Sequence, residues 1–234
     1  MKGDDCLDEE YRQKVAENIG SVLARIRMLS GGRDVKLLLA TKTVPADVIN
    51  SLTGEVLIGE NKVQELEEKY PLLKKDGLTV HFIGHLQTNK VRKITDKVSM
   101  IHSLDSMELA AEISKRSLVK GLKMPCLVEV NIGREADKGG VLPEDTERFV
   151  REASVLPGIK ICGLMTMAPA HITPDEYRMY FSQTKNIFDR LAELAIPGTE
   201  MKELSMGMSD SYEEAVECGA TIVRVGSAVF GRRV

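Results

Sequence analysis

The chain has 234 residues, a length that one large core or two small ones can fill. With 43% apolar and 29% charged residues it is ordinary globular material, which excludes wholesale disorder and collagen-like repeats and requires a buried core. The 32 Lys and Arg against 35 Asp and Glu leave a net charge of −3, which excludes the broad basic surface that nucleic-acid backbones or anionic membranes demand.

Any phosphate site must therefore be local. No apolar run approaches the roughly 18 residues of a membrane span, and the acidic start MKGDDCLDEEYRQK is unlike a signal peptide, so a cytoplasmic location is expected. The cysteines (Cys6, Cys126, Cys162, Cys218) lie far apart without a C-x-x-C pair and read as reduced packing residues.

Residues 1–34 read as an N-terminal helical extension, with Val15, Ile19, Val22, Leu23 and Ile26 at steps of three and four. Val- and Ile-rich runs then alternate with charged amphipathic stretches. The predicted strands are Val35–Thr43, Glu55–Asn61, Thr79–Gln87, Met100–Ser106, Pro125–Gly133, Ile159–Met167, Lys202–Met208 and Ile222–Gly231. Helices are predicted over Met107–Lys120, Asp145–Leu156 and Asp175–Ala195, with turns at Gly77, Gly121, Pro157-Gly158 and Pro197-Gly198. Each strand is expected to precede a helix.

Near-continuous apolar strands covered on both faces indicate a parallel sheet joined by right-handed helical crossovers. Eight such units fit a closed (β/α)8 barrel of the α/β class. The alternative, an open doubly wound sheet, commonly carries G-x-G-x-x-G after its first strand, where this chain has Thr41-Lys42-Thr43. Without a Pro/Ser/Gly-rich linker, residues 1–234 read as a single barrel domain.

Ligands of such barrels sit at the carboxyl ends of the strands. Lys42 closes the first predicted strand, where burial would favour a neutral amine able to attack an aldehyde; the plainer reading is a lysine reaching for water. SMGMSDS (Ser205–Ser211) and Arg224-Val225-Gly226-Ser227-Ala228 supply glycines and hydroxyls after strands seven and eight, the usual phosphate cradle of this architecture, although glycines also simply permit tight turns. An imine-forming lysine facing a phosphate cradle describes pyridoxal 5′-phosphate. An inward Arg224 would reach the ring, or else pair with a carboxylate inside the barrel. As a permanent cation it cannot protonate the ring nitrogen as an acid would, which weakens the ring as an electron sink.

The remaining signals are weaker. His85 either orients groups at the rim or satisfies a backbone carbonyl, and His81, His102 and His171 lack metal-ligand spacing, so no metal is expected. Met165, Met167, Met206 and Met208 read as barrel filling, and KVQELEEKY (Lys62–Tyr70) as a solvated surface helix.

The segments LLLATKT, IGENKVQE, HFIGHLQTNK, HSLDS, VEVNIG, GLMTMAP, LSMGMSDS and RVGSAVFG, in this order from about residue 35 onward, resemble the pyridoxal phosphate homeostasis protein family, also called the proline synthase co-transcribed or alanine-racemase-like family. The resemblance implies a barrel like the N-terminal domain of alanine racemase that carries and buffers pyridoxal 5′-phosphate. It carries the Schiff-base lysine onto Lys42, phosphate contacts onto Ser205, Gly226 and Ser227 with Ser209 nearby, the arginine facing the pyridine nitrogen onto Arg224, and ring-lining positions onto Asn61 and, less directly, Met206. Ser227 stands where a threonine is common, and READKGG (Arg134–Gly140) is more charged than the usual loop.

Racemisation needs a second proton-handling group on the opposite cofactor face, which alanine racemase takes from a tyrosine of a separate C-terminal domain. Tyr11, Tyr70, Tyr177, Tyr180 and Tyr212 all fall in or beside predicted helices, Tyr212 coming nearest the mouth. The expectation is a monomeric carrier without robust catalysis, in transient contact with enzymes that use pyridoxal phosphate; the alternative is a slow amino-acid racemase.

Overall fold

A computed structural model describes residues 4–231, with side chains from Glu9 onward, so the Cys6 side chain, Arg232 and Arg233 lie outside the described residues. The elements run α1 (Asp4–Leu29), β1 (Lys36–Ala40), α2 (Ala46–Asn50), β2 (Val56–Glu60), α3 (Val63–Lys69), β3 (Leu78–Phe82), β4 (Met100–Leu104), α4 (Met107–Val119) and β5 (Met124–Val130). They continue with α5 (Thr146–Ser154), β6 (Ile159–Thr166), α6 (Pro174–Glu193), β7 (Thr199–Ser205), α7 (Tyr212–Glu217), β8 (Ile222–Val225) and α8 (Ser227–Phe230). The eight strands close into a parallel barrel in chain order, with β8 paired back onto β1. The closed barrel expected from the alternation is the one formed.

Strand parity sorts the side chains into two cores. The main cluster fills the layer between strands and helices, from Ile58, Phe82, Ile101 and Val128 to Leu66, Ile113, Val150 and Phe181. A separate cluster of Leu38, Ile83 and Ile222, with Ala40 and Leu57 against it, occupies the barrel interior. Register carries the inward series around the ring: Leu38 pairs with Arg224, His81 with Met100, Glu129 with Met165 and Met165 with Ser205. The interior is thus partly polar, holding His81, His102, Glu129, Ser205 and Arg224 at 8% exposure or less.

Three local expectations are corrected. After β3 the chain does not form an α-helix but a 3-10 segment, Thr88–Lys93, whose neighbours Val91 and Ile94 are buried three residues apart, the repeat of that helix. Predicted strand eight ends at Val225 and turns into α8. Lys62–Tyr70 is not a purely solvated helix: Val63, Leu66 and Lys69 of α3 are buried against the barrel. Of the methionines read as filling, Met165 and Met206 are buried, whereas Met167 and Met208 lie beyond the ends of β6 and β7 and are exposed. Cys126 is buried, Cys162 and Cys218 are half-buried, and all three are free thiols. Among the described residues no helix is long and apolar enough to cross a membrane.

α8 is only four residues long, and α1 packs against it and α7. Val15, Val22 and Ile26 enter the main core, Tyr11 Oη donates to the Phe230 carbonyl (3.1 Å) and Asn18 Nδ2 to that of Val229 (2.9 Å). Arg25 pairs with Glu213 at 2.5 Å. Ile26→Ala is expected to cost about 2–5 kcal/mol in urea unfolding, a core-sized penalty, whereas half-buried Leu23→Ala should cost clearly less; equal small losses would show that α1 does not belong to the cooperative core.

Candidate functional site

The carboxyl mouth of the barrel brings β1, β2, β7 and β8 together around Lys42. β1 ends at Ala40, so Lys42 lies in the turn after the strand rather than at its last position. It continues the two-residue series of Leu38 and Ala40 and is exposed, in line with the plainer reading of a lysine reaching for water and not with a buried amine. Its ammonium has no hydrogen-bond or ion-pair partner among the described residues. Thr41 and Thr43 on either side are both held, and Thr43 takes a φ of +61° that a β-branched residue rarely adopts.

The loops after β7 and β8 are stitched to each other. Gly207, at φ +86°, turns the chain where a Cβ would sit 2.5 Å from Cβ of Ala215. The Ser209 hydroxyl then accepts from the amides of Gly226 and Ala228, both at 3.2 Å, and the Ser211 hydroxyl accepts from the Met208 amide at 3.2 Å. At Gly226 a Cβ would stand 3.2 Å from the Ala40 carbonyl oxygen, so this loop abuts the end of the strand that leads to Lys42. Ser227 opens α8 and is exposed. These hydroxyls and amides form a cradle with donors able to turn to an anionic oxygen.

Asn61, immediately after β2, continues the inward series of Leu57 and Gly59. Its Oδ1 is buried without a hydrogen-bond partner, a polar atom left for a ligand to satisfy. Lys42, Asn61, Ser209, Gly226 and Ser227 therefore meet at the rim. Ser205 and Arg224 lie one layer deeper, and Met206 is not brought to the mouth: it is fully buried in the core between strands and helices.

The deeper layer is a hydrogen-bonded chain. Arg224 Nη1 donates to Ser205 Oγ (2.7 Å) and Nη2 to the Thr166 carbonyl (2.9 Å). Ser205 Oγ lies 3.0 Å from His102 Nδ1, and His102 Nε2 lies 2.9 Å from His81 Nδ1. A guanidinium has only donors, so Ser205 Oγ accepts from Arg224; giving the serine proton to His102 Nδ1 is the arrangement that leaves no buried proton unpaired along the chain, with the His102 proton on Nε2 toward His81 Nδ1 and the His81 proton on Nε2. Burial keeps both imidazoles neutral, holding His81 down to about 4 and His102 well below the ordinary histidine range. Burial lowers Arg224 to about 10, with Glu129 opposing, so it stays charged at neutral pH. Burial, reinforced by Asp105, pushes the Glu129 carboxyl up to about 7, against Arg224 and His85.

Sequence reasoning missed His81, His102 and Glu129, whose inward parity was the available signal. It also missed Glu60, Glu65 and Lys69. Lys69 Nζ donates to the Thr41 carbonyl (2.6 Å) and to Glu60 Oε1 (2.8 Å) and forms an ion pair with Glu65 Oε1 at 2.7 Å. His85 is mostly exposed at the rim, 3.5 Å from Asp105 Oδ2, beside a cavity of about 410 Å³ lined by Leu86, Gln87, Thr88 and Asn89. A cavity of about 1340 Å³ lies at the opposite, amino end, between α1 and the starts of β1, β2 and β3.

The family model described as alanine racemase, N-terminal domain matches residues 34–234, which sets the class of barrel. A relative from Aquifex aeolicus named pyridoxal phosphate homeostasis protein is 44% identical over 93% of this chain and 97% of its own length. The chain belongs to the pyridoxal phosphate homeostasis protein family. Among solved structures, a protein from Bifidobacterium adolescentis of unknown role superposes with a TM-score of 0.87 at 33% identity, covering 94% of this chain and 96% of that one. PipY of Synechococcus elongatus with PLP bound superposes with a TM-score of 0.79 at 31% identity, covering 93% and 100%.

Two outcomes test the interior. Imidazole ¹⁵N resonances of the native protein at pH 7 are expected to report His81 and His102 as neutral Nε2–H tautomers; an Nδ1–H form at His102 would break the assigned chain. The Glu129 carboxyl binds its proton more tightly folded (about 7) than unfolded (about 4.3), so its contribution to stability is fully present below the unfolded value and is lost as pH rises through about 7. Glu129→Gln should then be more stable than the parent at pH 8 by about 1–3 kcal/mol and little changed at pH 4, read by urea unfolding at both pH values.

Proposed function

We propose that this protein holds pyridoxal 5′-phosphate at the carboxyl mouth of the barrel as a reversible imine on Lys42 and takes part in cofactor homeostasis without robust catalysis. The observation that carries this reading is the adjacency of the two halves of the site: the Ser209, Gly226, Ser227 cradle abuts the end of β1, from which Lys42 follows. The residues fit the cofactor in kind. The Ser209 hydroxyl, which accepts from the amides of Gly226 and Ala228, would donate its own proton to a phosphate, and the unpartnered Asn61 Oδ1 would offer the cofactor a polar contact. Membership of the family and the PLP-bound relative support the same assignment.

When bound, the cofactor supplies an aldehyde that a primary amine converts to an imine with loss of water. This chain's residues bind and orient. Ser209, Gly226 and Ser227 would hold the phosphate, and Lys42, exposed at the mouth, would provide the amine. Arg224, fixed by Ser205 and the Thr166 carbonyl, would be the donor offered to the pyridine nitrogen and would keep its own proton. An arginine in this place disfavours reactions that need a strong electron sink, in keeping with a carrier. Ser205 contributes by holding Arg224, its hydroxyl already being shared between Arg224 and His102. Release to recipient enzymes through transient contacts, by a monomer in the cytoplasm, completes the reading.

The test is a spectrum with pyridoxal 5′-phosphate before and after borohydride, with peptide mapping of the reduced adduct. The parent should carry the label on Lys42, and Lys42→Ala should lose it while keeping its unfolding midpoint. Label on another lysine, or amino-acid α-proton exchange near the median enzyme rate of about 10 per second, would overturn the carrier reading.

A further inference from the structure

The turn that carries Lys42 is gripped from both sides by one buried charge cluster. Lys69, on α3, is buried, and its ammonium donates to the Thr41 carbonyl and Glu60 Oε1 and is paired by charge with Glu65 Oε1. Glu60, fully buried on the outer face of β2, also accepts from the Thr41 hydroxyl at 2.7 Å. Glu65 accepts the backbone N–H of Thr43 as well. The residue before Lys42 is thus tied through its carbonyl and its hydroxyl, and the residue after it through its amide. Lys42 between them carries no such tie among the described residues.

An ion pair this buried is an expensive way to stabilise a fold, since desolvation offsets much of its attraction, and apolar residues would fill the space as well. What it does here is specific to geometry. A β-branched residue at φ +61° persists only where its surroundings over-determine it, and Thr43 is held there by Glu65, itself held by Lys69. We propose that Glu60, Glu65 and Lys69 are positioning residues that aim Lys42 at the cofactor aldehyde, acting on imine formation and not on phosphate anchoring. This role rests on the proposed cofactor reading. The step they assist is addition of the neutral Lys42 amine to the aldehyde carbon, followed by loss of the carbonyl oxygen as water, and it needs no other reactant.

The experiment compares the parent with Glu65→Ala, Glu65→Gln and the double variant Lys69→Met/Glu60→Gln, which removes both buried charges together so that neither is left alone. Three quantities are read: the rate of borohydride-trapped adduct on Lys42, the affinity for pyridoxine 5′-phosphate, which has the ring and phosphate but an alcohol in place of the aldehyde, and amide exchange at Thr43 in the cofactor-free protein. Glu65→Ala and the double variant should form adduct about tenfold more slowly or worse, with pyridoxine 5′-phosphate affinity within about twofold of the parent. Glu65→Ala should also exchange the Thr43 amide about tenfold faster. Glu65→Gln, which keeps an acceptor oxygen, should restore both rates to within about threefold. Adduct rates unchanged in Glu65→Ala and the double variant would overturn the proposal, as would an equal loss of pyridoxine 5′-phosphate binding. A parent that forms no adduct on Lys42 would instead sink the cofactor reading beneath it.

Discussion

The pairing of β8 with β1 is the constraint on which the site depends. Lys36 to Leu39 run beside Ile222 to Val225 in register, so the last strand ends next to the first. Gly226 then leaves its strand against the Ala40 backbone, a place where a side chain would crowd the carbonyl. In an open sheet the Lys42 turn and the Gly226 loop would belong to separate edges. Closure makes them adjacent and puts a nucleophilic amine beside a bank of N–H and hydroxyl donors.

Closure also creates an interior that must be filled, and this chain fills part of it with polar groups. Arg224 can be buried there because its guanidinium is met by Ser205 and the Thr166 carbonyl, and because two neutral imidazoles extend the chain without adding charge. The same rule governs the outer layer, where two acceptors and the Glu65 carboxylate meet the buried Lys69 ammonium. The outer network ends on the backbone beside Lys42, whereas the interior one runs from Arg224 to His81, which lines the amino-end cavity.

Periodicity made the eight strands and most helices legible, because a buried parallel strand leaves a short apolar run and a covering helix leaves a stripe. Lys42, the glycines and the serines could be read as strand-end residues for the same reason. Lys69 could not. Its segment, KVQELEEKY, alternates charges as a solvated helix does, and only the packing of α3 against β1 and β2 turns one of those lysines inward. Met206 was misplaced by a single residue of parity: with Ser205 inward, its neighbour must face the helices. The strand end at Ala40, two residues before Lys42, likewise depends on where pairing with β2 stops at Gly59, and pattern alone does not mark that point.

The order of apolar runs and turn residues determined by itself that this chain builds alternating strands and helices, and the residue types at the strand ends determined the chemistry they can offer. Which residues meet was decided only by the tertiary structure. Strand register fixes the face of every side chain, and register comes from contacts between segments far apart in sequence. For that reason His81, His102, Ser205 and Arg224 form one hydrogen-bonded chain, and Glu60, Glu65 and Lys69 enclose the turn of Lys42, although no local pattern announces either.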